Sequence, residues 1–106
     1  MNLIAWIVFA AAALIEVGGD AVIRLGLHSH KLLLVIAGFL ALGSYGLLVN
    51  QIKWEFSRML GVYVGFFALV SVLFGRVVFQ EPVSSSTWIG LGLIVSGCLV
   101  IQFAKP

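Results

Sequence analysis

The sequence predicts an all-α membrane protein of four transmembrane helices, and three observations carry that expectation. Hydrophobic residues make up 62% of the 106-residue chain and charged residues only 9%. A water-soluble domain usually carries about a quarter charged residues, so lipid must face most of this surface. Polar punctuation divides the chain into four apolar runs, 3–23, 32–51, 59–79 and 87–104. Each is near the ~20 residues that a helix needs to cross ~30 Å of hydrocarbon. The runs are evenly apolar where barrel strands would alternate. Residues 1–106 therefore read as a single four-helix transmembrane domain of a multi-pass membrane protein.

The first run contains "AAA" at positions 11–13, faintly like a signal-peptide cleavage site. A signal peptide also wants a basic start, and "MNLIAW" has no Lys or Arg, so the run is expected to stay as a helix. It holds Glu16, Asp20 and Arg24 at four-residue intervals, which puts all three on one helix face. The first connection, "RLGLHSHK", has Gly26 to end the helix and two histidines in a solvated turn. Two His at i, i+2 without nearby Cys or carboxylate make a weak metal signal.

The second run contains Ser44 and Tyr45. In the connection after it, Trp54 among Lys53 and Arg58 reads as an interfacial anchor. The third run leads into "FQEPVSSSTW", where Pro82 breaks the chain and Ser85 or Ser86 is available to cap the fourth helix. The fourth run contains "GLGLIVSG", with Gly90, Leu93 and Gly97 at helical spacing. Such small residues let backbones approach closely in lipid, either against a second copy or within one chain. Cys98 is the only cysteine and reads as packing filler; one thiol cannot form a disulfide within a chain.

With four spans, Lys53, Arg58 and Lys105 lie on one side of the membrane, and Arg24, Lys31 and Arg76 on the other. Three against three gives the positive-inside rule no preference. Either the balance is chance, or the chain inserts both ways up and two copies pair antiparallel.

The three ionisable groups of the first helix differ in depth. At 1.5 Å per residue, Glu16 lies roughly 20 Å along from Leu3 and about 10 Å before Ile23. Arg24 sits at the edge and can snorkel to the interface, and Asp20 can pair with it. Glu16 has no basic residue within one turn. A central charge costs about 2.5–3.5 kcal/mol on insertion scales, so an ionisable group there faces a protein interior or a wet cavity and is a functional candidate. Low-dielectric surroundings favour the neutral form of a carboxyl, so the same oxygens can hold a proton or a cation in turn. Four helices enclose little space, and a substrate chamber almost demands a dimer, which would bring two Glu16 carboxyls together.

These residues resemble a family. In size, four spans, a single Glu in the first helix followed by "VGG", "SYGLLV" in the second and "GLGLIVSGC" in the fourth, the chain is similar to the small multidrug resistance transporters of the drug/metabolite transporter superfamily. The stretch "RMLGVYVGFFALVSVLFGRVV" also resembles the YnfA-like branch in its spacing of Arg58, Tyr63, Gly65 and Arg76. The resemblance implies an antiparallel, dual-topology homodimer in which paired Glu16 residues bind protons and substrate cations in turn. It places the family's chamber-lining aromatic at Tyr63 and its dimerisation motif at Gly90, Leu93 and Gly97. Typical multidrug members have Trp at the Tyr63 position and Tyr where this chain has Leu60, so a smaller or more polar substrate is implied. Asp20 is outside the usual pattern. The segment "EPVSSSTWIG" is shared with small flippase subunits for lipid-linked sugars, which lack the first-helix Glu.

The expected function is proton-coupled export of small organic cations of quaternary ammonium, guanidinium-like or polyamine-like type. Glu16 is the shared proton and cation site, Tyr63 an aromatic wall, Ser44 and Tyr45 pocket polar groups, and Asp20 with Arg24 a secondary ion pair. The alternatives are a lipid or lipid-linked-sugar flippase subunit and a non-transporting accessory membrane protein. With no nucleophile–base pair or metal-ligand cluster, an enzyme is not expected. No cofactor, metal or nucleic-acid partner is expected either.

Overall fold

The structure, a computed structural model, describes residues 3–103 and contains four helices: α1 (Leu3–His28), α2 (Leu32–Val49), α3 (Phe56–Val77) and α4 (Ser85–Phe103). All four are long and apolar enough to cross a membrane. Their outer faces are apolar as well, with Leu33 81% and Leu93 70% exposed, as lipid-facing side chains should be. The chain divides between Lys53 and Trp54 into two compact units, each a helical hairpin: α1 with α2, and α3 with α4. The end of the fourth predicted run, at 104, and Lys105 lie outside the described residues.

In the first hairpin, α1 runs five residues past the predicted end at 23. Gly26 does not stop it. The left-handed residue that turns the chain is His30, with φ 56°, and the Lys31 amide closes the turn by donating to the Gly26 carbonyl at 2.8 Å. Gly26 serves close approach instead: a Cβ there would lie 2.9 Å from Leu34 Cβ and from Val35. Deeper in the hairpin, Gly19 meets Gly38. A Cβ on Gly38 would overlap Ile23 and sit 2.7 Å from the Gly19 carbonyl oxygen, so the two backbones nearly touch. Close backbone approach of this kind is what holds helices together in lipid, where apolar burial gives no drive. At its end α2 stops short of the predicted 51. Asn50 closes it, its backbone amide (3.2 Å) and side-chain Nδ2 (2.8 Å) both donating to the Gly46 carbonyl.

The second hairpin repeats the device. Gln80 takes the left-handed conformation, φ 54°, and the Glu81 amide donates to the Gly75 carbonyl at 2.9 Å. The α4 cap is Ser84, not Ser85 or Ser86: its Oγ accepts from the Thr87 amide at 3.2 Å, satisfying one of the donors orphaned at a helix start. Ser85 and Ser86 fall inside the helix because the cap sits one residue earlier. Between α3 and α4, Gly65 admits Cys98, whose Sγ would lie 2.7 Å from a Cβ at that position. The buried Cys98 thiol donates to the Val62 carbonyl at 3.0 Å. The thiol thus fills a glycine notch and caps a backbone oxygen.

Candidate functional site

The first hairpin positions Glu16 halfway along α1. Its neighbours on the inner side of that helix are small or buried: Ala12, Ala13, Val17 and Gly19 are all buried. Glu16 itself is half-buried. The α2 residue Tyr45, also half-buried, lies close enough for the Glu16 charge to act on its phenol. The tight Gly19–Gly38 crossing brings α2 near α1 one turn away, which accounts for a carboxyl and a phenol sharing one level of this hairpin. A phenol can donate a hydrogen bond to a carboxylate or accept one from its protonated form, so the pair suits a group that changes protonation state.

Ser44 precedes Tyr45 and is exposed, its hydroxyl donating to the Leu40 carbonyl of its own helix at 2.8 Å. Asp20 and Arg24 are exposed on α1 below Glu16. In the second hairpin, Tyr63 is buried, with 3% of its surface exposed. Gly90 and Gly97 have open space where a Cβ would stand, and Leu93 is exposed between them; Leu91 and Cys98 are the buried residues of α4. Gly90, Leu93 and Gly97 thus form an apolar face of α4 with no crowding from within the hairpin. Among the described residues no group of three His, Cys, Asp or Glu is placed to hold a metal ion.

One cluster is invisible in the apolar pattern. Arg58, in the first turn of α3, stacks its guanidinium 4.3 Å from the Trp54 ring centre and donates to Gln102 Oε1 in α4 at 2.9 Å. Gln102 looks like an incidental polar residue at a helix end. The signal was its membrane level: in a hairpin the start of α3 and the end of α4 lie side by side, so two polar residues there meet.

The family model described as "Uncharacterised BCR, YnfA/UPF0060 family" matches residues 2–106. The chain belongs to the YnfA/UPF0060 family. Curated relatives agree in length as well as sequence. The UPF0060 membrane protein YfjF of Bacillus subtilis is 37% identical over 106 residues, spanning 98% of this chain and 97% of the relative. A UPF0060 membrane protein of Nocardia farcinica is 33% identical over 100 residues, 92% and 90% of the two chains. One from Streptomyces avermitilis is 36% identical over 100 residues, 91% and 88%. No solved structure matches the chain. Membership selects the YnfA-like branch that the segment from Arg58 to Val78 resembled. With four spanning helices and relatives named as membrane proteins, the chain is a multi-pass membrane protein, consistent with the plasma membrane.

Proposed function

We propose that this YnfA/UPF0060 protein is a proton-coupled exporter of small organic cations, not an enzyme, and works as an antiparallel, dual-topology homodimer. The observation that carries the reading is Glu16: a carboxyl at mid-depth of a spanning helix, half-buried and within electrostatic reach of Tyr45. An ionisable group in that place is costly unless it has work to do.

The mechanism needs only competition. With a proton bound, Glu16 is neutral and the substrate cation has no counter-charge. With the proton released, the carboxylate attracts the cation, and Tyr45 can donate its hydroxyl proton in a hydrogen bond to the anion. Each occupant excludes the other, so a proton gradient drives cation movement in the opposite direction. Two copies in opposite orientations would supply the inverted repeat that larger transporters carry within one chain, and the open α4 face at Gly90, Leu93 and Gly97 suits close helix pairing. Tyr63 is proposed as an aromatic wall of the substrate chamber and Ser44 as a polar contact there.

Proton release tests the competition directly. Detergent-solubilised protein in weak buffer is expected to release protons when a quaternary ammonium or guanidinium cation is added, and Glu16→Gln is expected to release none. Cation binding by the Gln variant at undiminished affinity would show that Glu16 is not the site.

A further inference from the structure

Between α3 and α4 runs a groove that the Glu16 chemistry does not use. Its outer end is a polar recess of about 230 Å³ at Glu81, Ser71 and Thr87. Its inner end is an apolar hollow of about 400 Å³ walled by Ala68, Gly90 and Ile94. Ser71, Val72 and Thr87 border both, so the two spaces adjoin. Two glycines open it. Gly90 has nothing within 4 Å of a Cβ position, and at Gly75 that position lies 2.6 Å from Glu81 Oε1. The Glu81 carboxylate therefore rests on α3 at the groove mouth, anchored by its own amide on the Gly75 carbonyl. Among the described residues, no hydrogen bond or ion pair occupies that carboxylate.

The mouth lies where α3 has ended and α4 begins, at headgroup depth if these helices span the bilayer. It pairs one full charge with a partial charge of opposite sign. Glu81 is anionic, and three residues later Ser84 caps α4, whose N-terminal end favours a phosphate. A carboxylate beside a phosphate-attracting helix end complements a zwitterion with a short bridge between ammonium and phosphate. Below the mouth the groove runs from Val72 to Val64 along α3, about 12 Å at 1.5 Å per residue, and is apolar enough for an acyl chain.

We propose that this groove binds phosphatidylethanolamine, with the ammonium on Glu81, the phosphate toward the start of α4 and one acyl chain in the hollow. A primary ammonium donates hydrogen bonds to the carboxylate; a trimethylammonium headgroup does not, and an anionic headgroup is repelled. The site is compatible with the dimer. At 3.6 residues per turn, Leu93 and Gly97 fall on the face beside the groove, and of the three dimer-face residues only Gly90 also lines the hollow. Nothing in the proposal requires Glu16 to carry protons.

The test uses the full-length protein in nanodiscs of equal parts phosphatidylethanolamine, phosphatidylcholine and phosphatidylglycerol, with retained lipid counted by native mass spectrometry. The wild type is expected to retain phosphatidylethanolamine about fivefold over either other lipid, and Glu81→Gln to reduce that preference to less than about twofold. Ala68→Phe, or Ile94→Trp if the former folds poorly, fills the hollow and is expected to lose the retained lipid. Glu16→Gln is expected to leave the preference unchanged, which separates this site from the transport reading. Equal retention of the three lipids, or a preference that survives both Glu81→Gln and the filled hollow, would overturn the proposal. So would retention by monomers but not by dimers, which would mean that a second copy covers the groove.

Discussion

Glu16, Asp20 and Arg24 share a face of α1 but not an environment. Glu16 is half-buried at mid-helix beside Tyr45, whereas Asp20 and Arg24 are exposed nearer the helix end. Removing the Tyr45 hydroxyl should therefore tune the carboxyl without abolishing it. Tyr45→Phe is expected to weaken cation binding by about tenfold or less, the size of one hydrogen bond to a charged group. Asp20→Asn is expected to leave binding within about twofold, as usual for an exposed charge. Isothermal titration distinguishes the two, and equal losses in both variants would reject the division of roles. Glu16 stands out in the sequence as a candidate because it is an acidic residue amid apolar ones with no basic residue within one turn of helix. Gln102, the partner of Arg58, does not, because its meaning depends on which helix ends lie side by side.

The elements are held by glycine notches and by turns that do not use glycine. At Gly38 a Cβ would collide with Ile23 and the Gly19 carbonyl, while at Gly43 it would meet nothing within 4 Å. Gly38→Ala is thus expected to destabilise the first hairpin by about 1–3 kcal/mol, the range for overpacking a close contact, and Gly43→Ala to be near neutral in the same denaturant titration. Ser84→Ala is expected to cost about 1 kcal/mol through loss of the α4 cap. The existence and order of the four helices could be read from hydropathy alone. Their ends could not, because His30 and Gln80 adopt the left-handed conformation that a sequence reading assigns to glycine. Gly26, the residue that looked like a terminator, is spent on packing against Leu34 and Val35.

For the whole molecule, the balanced charges have a consequence. On the four-span reading the basic residues divide evenly between the two ends of the helices, so a few added lysines should fix the orientation. A chain carrying Asn50→Lys and Ser57→Lys is expected to insert one way, and one carrying His28→Lys and His30→Lys the other way. Either alone should lose export and the two together should regain it. Terminal-tag mapping and cation-resistance growth report both results, and full export by a single fixed orientation would exclude the antiparallel pair. The proton–cation exchange itself is most directly measured in proteoliposomes, as uptake of a radiolabelled quaternary ammonium or guanidinium cation driven by an imposed pH gradient. Wild-type protein is expected to accumulate the cation against its own gradient while the proton gradient lasts, and Glu16→Gln to give no uptake above empty vesicles. Accumulation that ignores the pH gradient, or that persists in Glu16→Gln, would contradict proton-coupled export through Glu16.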